Sequence, residues 1–201
     1  MVKNLVQLAE EYCRIFHQSQ KRKGGNQEPY ESHPFAVRDI LVKYGYDTTE
    51  TQAIALLHDT IEDTELGKNK HEIEKRFGTI IYEGVYALSN NTLGKHHFKL
   101  LPLFQQLGIE LISENNILTP QAYKIRLLFS RDSVKRVKIA DTIHNTSSLP
   151  DLSKTGIERK LHDAETFYIP LGLCVAPVMV NELIMNVTNY KASKHYKKTF
   201  S

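Results

Sequence analysis

The sequence predicts an all-α fold, a compact single-domain bundle of roughly eight to ten helices. Apolar residues recur at spacings of three and four along most of the chain, which is the period of a helix with one buried face. No segment alternates apolar and polar residues as a half-buried strand does, and no internal repeat is present. A length of 201 residues with 41% hydrophobic residues favours one domain with a sizeable core.

The first half of the chain carries clear helix boundaries. Pro34 suits the first turn of a helix, because its missing N–H would have no partner there, and Gly45 suits the end of that helix. Thr49 and Gln52 match a capping box for the next helix. The helices predicted for this half cover residues 2–20, 34–45, 49–64, 71–77 and 80–88.

The second half begins with a segment, 89–120, in which we expect irregular structure, because its prolines, glycines and two Asn-Asn pairs disfavour long helices. Pro170 should end one later helix, and Pro177 should begin or kink another. The helices predicted here cover residues 121–130, 133–144, 158–168 and 171–190. A single domain over residues 1–201 is therefore expected, with an insert at 89–120 and a basic tail at 191–201. The insert could be a lid, an oligomer contact or a regulatory segment.

The composition indicates a protein that does not bind nucleic acid or membranes. The net charge of +3, with nine histidines counted as neutral, is too small an excess for a nucleic-acid-binding surface. No apolar run could span a bilayer, and acidic residues lie where a signal peptide would be apolar. Two cysteines without metal or redox spacing indicate a reducing compartment. We expect a cytoplasmic protein that acts on a small molecule, and the sequence is compatible with a homo-oligomer.

The most informative stretch, 53–64, predicts a buried helix that carries four ionisable side chains: His58, Asp59, Glu62 and Asp63. His58 and Glu62 are four residues apart, as are Asp59 and Asp63, so each pair lies on one side of a helix. Burying these groups is costly unless a metal ion or strong partners hold them. A solvated acidic turn at a helix end is the alternative interpretation.

Two further segments carry polar groups that could join this set. Asp141 and Asn145 lie four residues apart in the largely apolar stretch 134–145, and a buried Asp needs a partner. His33 stands near the predicted start of the second helix, although a single histidine is more simply explained as structural. Two neutral imidazoles and two carboxylates suit a divalent metal such as Mn, Fe or Zn. The predicted ligands are His33, His58, Asp59 and Asp141.

These residues, in this order, resemble the HD-domain metal-dependent phosphohydrolases, and specifically the hydrolase domain of the RelA/SpoT alarmone enzymes. The string His58-Asp-Thr-Ile-Glu-Asp-Thr64 resembles the family motif His-Asp-X-X-Glu-Asp-Thr. The segment 22–34, with Arg-Lys, Glu-Pro-Tyr and His-Pro, resembles the first motif of that domain. Val137-Lys-Ile-Ala-Asp-Thr-Ile-His-Asn145 resembles Val-Lys-Leu-Ala-Asp-Arg-Leu-His-Asn. The resemblance covers most of residues 1–88 and 121–175.

The resemblance implies an HD-domain phosphohydrolase fold and a metal-dependent (p)ppGpp 3′-pyrophosphohydrolase, which converts ppGpp or pppGpp to GDP or GTP and pyrophosphate. The implied cofactor is Mn²⁺, held by the four predicted ligands. Such an ion lowers the pKa of a bound water and supplies a nucleophile near neutral pH. Glu62 and Asp63 would be the catalytic residues, which orient this water and handle protons.

The resemblance also implies residues that bind the substrate. Arg22 and Lys23 would contact phosphates, since Arg offers a bidentate fork to phosphate oxygens. Asn145 would bind the nucleotide or a ligand near the metal. Where the family continues His-Asn-Met-Arg-Thr-Leu, this chain has Ser147 in place of Arg and Ser148 in place of Thr, so that only the hydroxyl is kept. Ser148 is therefore the fourth predicted substrate-binding residue.

Two alternative functions stay open. The protein could be an HD-type phosphatase of another nucleotide such as NADPH, because animal members of the family also act as NADPH 2′-phosphatases. It could instead be a catalytically silent HD protein that senses nucleotides or binds a partner, which predicts a broken ligand set or a missing Glu-Asp pair. The chain ends where the bifunctional enzymes would begin their synthetase domain, so a stand-alone small alarmone hydrolase is expected.

Overall fold

A computed structural model of the protein describes residues 4–22, 27–90, 95–112 and 118–200. These residues confirm the predicted all-α class: they contain no strand, only two isolated bridges, Lys21–Pro29 and Ile112–Leu118. The helices are α1 (Leu5–His17), α2 (Ser32–Lys43), α3 (Thr49–Leu57), α4 (Thr60–Asp63), α5 (His71–Phe77), α6 (Thr79–Leu88), α7 (Lys95–Gln106), α8 (Pro120–Leu128), α9 (Asp132–Ser147), α10 (Lys154–Asp163), α11 (Ile169–Val175), α12 (Pro177–Ala192) and α13 (Lys194–Phe200). None of them is both long and apolar enough to cross a lipid bilayer.

Three helices, α2, α3 and α9, contact one another at the centre of the bundle. α1 and α6 pack against α3, and α12 packs against α9. In α3 the apolar run from Ala53 to Leu57 has no exposed surface. α6 approaches α3 closely at Gly84, where a Cβ atom would lie only 2.4 Å from Cδ1 of Ile54. The close packing of these central helices therefore fixes the backbone that carries the side chains at their ends.

The prediction of irregular structure over 89–120 is wrong for residues 95–106, which form α7. Pro102 lies inside this helix, where it removes one backbone hydrogen bond. Phe104 is only 1% exposed, and Leu100 packs against the core. Tertiary packing thus outweighs the unfavourable helix propensity of proline.

The last part of the chain is divided differently from the prediction. α10 ends at Asp163 and continues through a π-helical turn, Ala164–Tyr168, directly into α11. Pro170 therefore lies in the first turn of α11, directly after the π-helical turn, and does not end a helix. Pro177 begins α12, as predicted. Residues 194–200 of the basic tail form α13, and none of these seven residues is buried.

Candidate active site

The predicted metal ligands come from three separate helices and meet in space. His33 lies in the first turn of α2, His58 follows the end of α3, and Asp141 lies within α9. One ligand atom of each lies within 4.8 Å of those of the other two, and all three residues are buried. Nε2 of His33 lies 3.0 Å from Oδ1 of Asp141, and Nε2 of His58 lies 3.9 Å from the same oxygen.

Asp59 joins this group from the position next to His58. Its Oδ2 atom lies 3.1 Å from Nε2 of His58 and 3.6 Å from Nε2 of His33. In a continuous helix, adjacent side chains point about 100° apart, so two neighbours could not easily face one ion. A local change in the backbone is needed to bring both side chains to the same place.

That change is a break in the predicted central helix: α3 ends at Leu57, and α4 begins at Thr60. Side chains stabilise the break by binding carbonyls of the last turn of α3. The Thr60 hydroxyl donates to the carbonyl of Leu57 at 2.6 Å, and Nδ1 of His58 lies 2.7 Å from the carbonyl of Ala55. The prediction of one continuous helix through 53–64 is therefore wrong at residues 58 and 59, although both keep backbone angles in the right-handed helical region.

His58 has the hydrogen-bonding pattern of a metal-binding histidine. Because Nδ1 lies against a carbonyl, it carries the proton in the neutral ring, which leaves the lone pair on Nε2. Nε2 is buried and makes no well-aligned hydrogen bond among the described residues, although Oδ2 of Asp59 lies 3.1 Å away. Ligand atoms bound at about 2.1 Å in neighbouring octahedral positions lie about 3 Å apart. The contacts of 3.0 Å between His33 and Asp141 and 3.1 Å between His58 and Asp59 have this spacing, whereas those of 3.6 and 3.9 Å are longer. The cluster is thus close to the geometry that one divalent ion requires.

The electrostatic field of the cluster favours a cation. Burial alone would raise the pKa of Asp141, but Lys138 and His33 hold it well below the ordinary value, and Nζ of Lys138 lies 2.8 Å from Oδ2 of Asp141. Burial also opposes ionisation of Asp59, but His58 and His33 lower its pKa. In the metal-free protein, the same carboxylates outweigh burial at His58 and raise its pKa to about 9, so a metal ion that binds Nε2 must displace a proton. Both carboxylates are therefore ionised at neutral pH, as metal ligands must be.

His144, which the sequence did not single out, contacts His33. The two Nδ1 atoms lie 2.8 Å apart, so one ring donates to the other. If Nε2 of His33 binds a metal, Nδ1–H of His33 is the donor and Nδ1 of His144 is the acceptor. Burial and the charge of His33 lower the pKa of His144 to about 4, so this ring is neutral and can accept.

Tyr30, also missed, connects Asp59 to Asp63. Its hydroxyl donates to Oδ2 of Asp59 at 2.7 Å and lies 3.1 Å from Oδ2 of Asp63. The ring stacks on the buried His17, with ring centres 4.8 Å apart. Burial and the two carboxylates raise the pKa of Tyr30, so its hydroxyl stays protonated and keeps donating.

The two predicted catalytic carboxylates lie in different surroundings. Glu62 lines a cavity beside the ligand cluster, and its Oε2 accepts a hydrogen bond from the backbone N–H of Asn90 at 2.9 Å. Burial raises the pKa of Glu62 despite this hydrogen bond. Asp63 is not among the residues that line that cavity, and its carboxylate accepts from Tyr30.

Among the predicted substrate-binding residues, Arg22 and Asn145 lie together at the edge of the cluster. Nη2 of Arg22 lies 3.4 Å from Oδ1 of Asn145, and Nδ2 of Asn145 donates to Oδ1 of Asp141 at 2.5 Å. The backbone N–H of Arg22 donates to the carbonyl of Glu28 at 2.9 Å, which closes the base of the loop that carries it. Lys23 lies outside the described residues.

Ser148, the fourth predicted substrate-binding residue, lies just beyond α9. Its hydroxyl donates to the backbone carbonyl of Asn145 at 3.3 Å. It is not among the residues that line the cavity beside the cluster or the larger cavity next to it. Ser148 therefore contacts the backbone of Asn145 and lies in the wall of neither cavity.

Two adjoining cavities surround the cluster. The first, of about 160 Å³, is lined by polar residues that include the ligands and Glu62. The second, of about 460 Å³, shares Asn90, Lys138, Asp141 and Asn145 with the first. Its volume is in the range of small-molecule sites. It also has cationic and aromatic side chains in its wall: Lys124, Arg159, Lys160, Tyr123 and Tyr168.

Comparison with protein families and curated proteins gives consistent matches. The family model described as HD domain matches residues 9–172. The GTP pyrophosphokinase of Streptomyces coelicolor is 30% identical over 170 residues, and the GTP pyrophosphokinase rsh of Brucella melitensis is 35% identical over 169 residues. These matches cover 83% and 84% of this chain but only 17% and 20% of the relatives. The chain thus spans about a fifth of the length of these relatives.

A solved structure shares the fold. It is described as a metazoan ortholog of SpoT that hydrolyzes ppGpp and plays a role in starvation responses. The TM-score is 0.70, and the match covers 94% of this chain and 97% of the other at 19% sequence identity. Since the family model spans most of the chain, the protein belongs to the HD domain family, in its RelA/SpoT type.

Proposed function

We propose that this protein is a metal-dependent pyrophosphohydrolase that removes the 3′-pyrophosphate of ppGpp and pppGpp, with Mn²⁺ as its metal. The observation that carries the proposal is that ligand atoms of His33, His58 and Asp141 lie within 4.8 Å of one another. Asp59 lies beside both histidines, and Glu62 lines the same cavity. The similarity to GTP pyrophosphokinases and to the metazoan SpoT ortholog supports an alarmone as the substrate. The proposed setting is the cytoplasm, with a small nucleotide as partner and neither nucleic acid nor membrane.

The four ligands would hold the ion through the imidazole Nε2 atoms and the carboxylate oxygens. When bound, a divalent ion supplies Lewis acidity, which allows water to act as a nucleophile near neutral pH. The chain fixes the ligands through contacts behind them. Lys138 holds the second oxygen of Asp141, and the Tyr30 hydroxyl holds Asp59.

Glu62 is the proposed general base. Its carboxylate lines the cavity, and burial raises its pKa toward the working pH, which improves a base at neutral pH. Water attacks the inner phosphorus of the 3′-pyrophosphate, and Glu62 accepts the proton. The bond between that phosphorus and the 3′ oxygen breaks, the 3′ oxygen takes up a proton from water, and pyrophosphate leaves while Glu62 returns its proton to solvent. Asp63 supports this reaction through Tyr30, with which it shares a hydrogen bond.

The substrate would lie across both cavities. Its 3′-pyrophosphate occupies the smaller one, near Arg22 and Asn145, and its nucleoside and 5′-phosphates occupy the larger one. Cations at Lys124, Arg159 and Lys160 suit the phosphates, and the tyrosine rings suit the base. Lys23 and Ser148 complete the proposed substrate-binding set.

The test is a turnover assay of the purified protein with ppGpp, pppGpp and NADPH, with and without Mn²⁺. We expect Mn²⁺-dependent release of intact pyrophosphate with GDP or GTP. Phosphorus NMR would identify the products. Release of single phosphates from ppGpp would contradict attack at the inner phosphorus. Activity on NADPH alone would favour the phosphatase alternative, and inertness with metal bound would favour a silent sensor.

A further inference from the structure

A buried arginine on α8 holds the backbone that faces Glu62. Arg126 is 3% exposed, and its Nη2 donates to the backbone carbonyl of Ser89 at 2.7 Å. Ser89 has no exposed surface and lies just after the end of α6. The next N–H along the chain, that of Asn90, donates to Oε2 of Glu62 at 2.9 Å.

The carbonyl of Ser89 and the N–H of Asn90 belong to a single peptide group. A trans peptide is planar, and its C=O and N–H point in opposite directions. Arg126 and Glu62 therefore bind the two ends of one rigid unit. A guanidinium at the oxygen and a carboxylate at the hydrogen polarise this unit in the same sense, which strengthens both hydrogen bonds.

The neighbouring peptide groups also accept hydrogen bonds. The hydroxyl of Tyr123 donates to the carbonyl of Leu88 at 3.4 Å, and the N–H of Leu118 donates to the carbonyl of Asn90 at 3.1 Å. The segment 88–90 thus forms a strap between α6 and α8. Within it, the Ser89–Asn90 peptide group is the unit that contacts Glu62.

We infer that Arg126 is a positioning residue for Glu62, which it orients through the Ser89–Asn90 peptide group. This inference rests on the proposed role of Glu62 as general base. Burial lowers the pKa of Arg126 only to about 10, so the guanidinium remains charged at neutral pH. The sequence carries no motif around Arg126 that indicates this role.

The test is a double-mutant cycle between Arg126 and Glu62, with ppGpp as substrate and Mn²⁺ saturating. Arg126→Met removes the donor but keeps an apolar side chain of similar length. We expect it to lower kcat by about tenfold, while KM changes less than about twofold, because only the base is displaced. In the Glu62→Gln background, the same change should have almost no further effect on kcat, since coupled residues are not additive. Arg126→Lys should restore part of the loss.

Arg131→Met is the matched control. Arg131, at the start of α9, also donates its guanidinium to a backbone carbonyl, that of Ile80 in α6. Its side chain is 40% exposed, and it has no contact with the 88–90 strap among the described hydrogen bonds. Its loss should leave kcat near the wild-type value. A fall in kcat equal to that of Arg126→Met would overturn the inference, because it would indicate a general loss of packing.

A second pair of variants covers the case in which Arg126→Met does not fold. Asn90→Pro removes the N–H that Glu62 accepts, and the extended backbone of Ser89 (ψ 124°) is compatible with a following proline. Asn90→Ala removes the same side chain but keeps the N–H. We expect kcat to fall at least about fivefold more in Asn90→Pro than in Asn90→Ala.

The outcomes separate this inference from the proposed function. If Glu62→Gln alone leaves kcat unchanged, the proposed base is wrong and the inference falls with it. If Glu62→Gln lowers kcat but Arg126→Met lowers it equally in both backgrounds, the function stands and the inference is overturned. Equal kcat values for Asn90→Pro and Asn90→Ala would overturn it as well.

Discussion

Nδ1 of His144 lies 2.8 Å from Nδ1 of His33, and this contact fixes how the His33 ring is oriented toward the carboxylates. His33 is 2% exposed, so bulk solvent does not compete for this contact. Since the pKa of His144 is lowered to about 4, it stays a neutral acceptor across the physiological range. The contact has the form of an outer partner that orients a metal-binding histidine.

His144→Ala should therefore weaken metal binding by about 10- to 100-fold, the usual effect of removing such a partner. Metal titration of the apoprotein would measure the change, and kcat at saturating Mn²⁺ should fall much less. His71, whose side chain is 74% exposed, provides the control substitution His71→Ala. Unchanged metal affinity in His144→Ala would contradict the orienting role.

Asp59→Ala should abolish metal-dependent turnover, because a methyl group cannot replace a charged oxygen ligand. The metal content of the purified variant, measured by elemental analysis, should fall with the activity. Asp39→Ala removes a carboxylate that is 66% exposed and should leave both quantities unchanged. Full activity of Asp59→Ala at ordinary metal concentrations would exclude Asp59 from the ligand set.

Glu62→Gln should lower kcat by about 10² or more while the metal content stays normal, as expected for loss of a positioned base. A base works only when it is ionised, so kcat should fall as the pH drops below the pKa of Glu62. Because burial raises this pKa, the fall should begin at a higher pH than for an exposed Glu. This acid limb should be absent in Glu62→Gln. Asp63→Asn changes a carboxylate that accepts a hydrogen bond from Tyr30, and it should lower kcat less than Glu62→Gln does.

Arg22→Ala should raise KM for ppGpp and lower kcat/KM more than Lys23→Ala does, because the planar fork that binds phosphate oxygens is lost. Arg22→Lys keeps the charge without the fork, so it should restore only part of the affinity. Initial-rate kinetics at several ppGpp concentrations would measure the change. Partial rescue by lysine would support the fork, whereas full rescue would contradict it.

Much of the fold and of the ligand cluster could be predicted from sequence. The buried face of α3 follows from its apolar spacing, and Asp141 was selected because a carboxylate in an apolar helix needs a partner. Chain order and the family resemblance place His33 in one ligand set with His58, Asp59 and Asp141. Their geometry in space agrees with that grouping.

The rest depends on contacts that periodicity does not report. The break at His58 and Asp59 is made by side chains that bind carbonyls of α3, which no spacing rule registers. α7 was missed because Pro102 argues against a helix, whereas the burial of Phe104 is a tertiary effect.

The outer partners of the ligands were missed for a related reason. The hydroxyl of Tyr30 binds Asp59 and Asp63, which lie 29 and 33 positions further along the chain. Lys138 and His144 are different, because each lies three residues from Asp141 and so shares its helix face. A spacing of three residues from a buried carboxylate is therefore a signal in the sequence for both residues.

The position of the ligand cluster among α2, α3 and α9 links metal supply to the persistence of the folded chain. An ion that binds the folded state but not the unfolded chain raises the melting temperature with its concentration. A chelator should lower the melting temperature, and protease should then cleave the central helices at a lower temperature than in the metal-bound protein. In a cell, a shortage of the metal would then shorten the lifetime of the protein as well as slow its turnover of substrate.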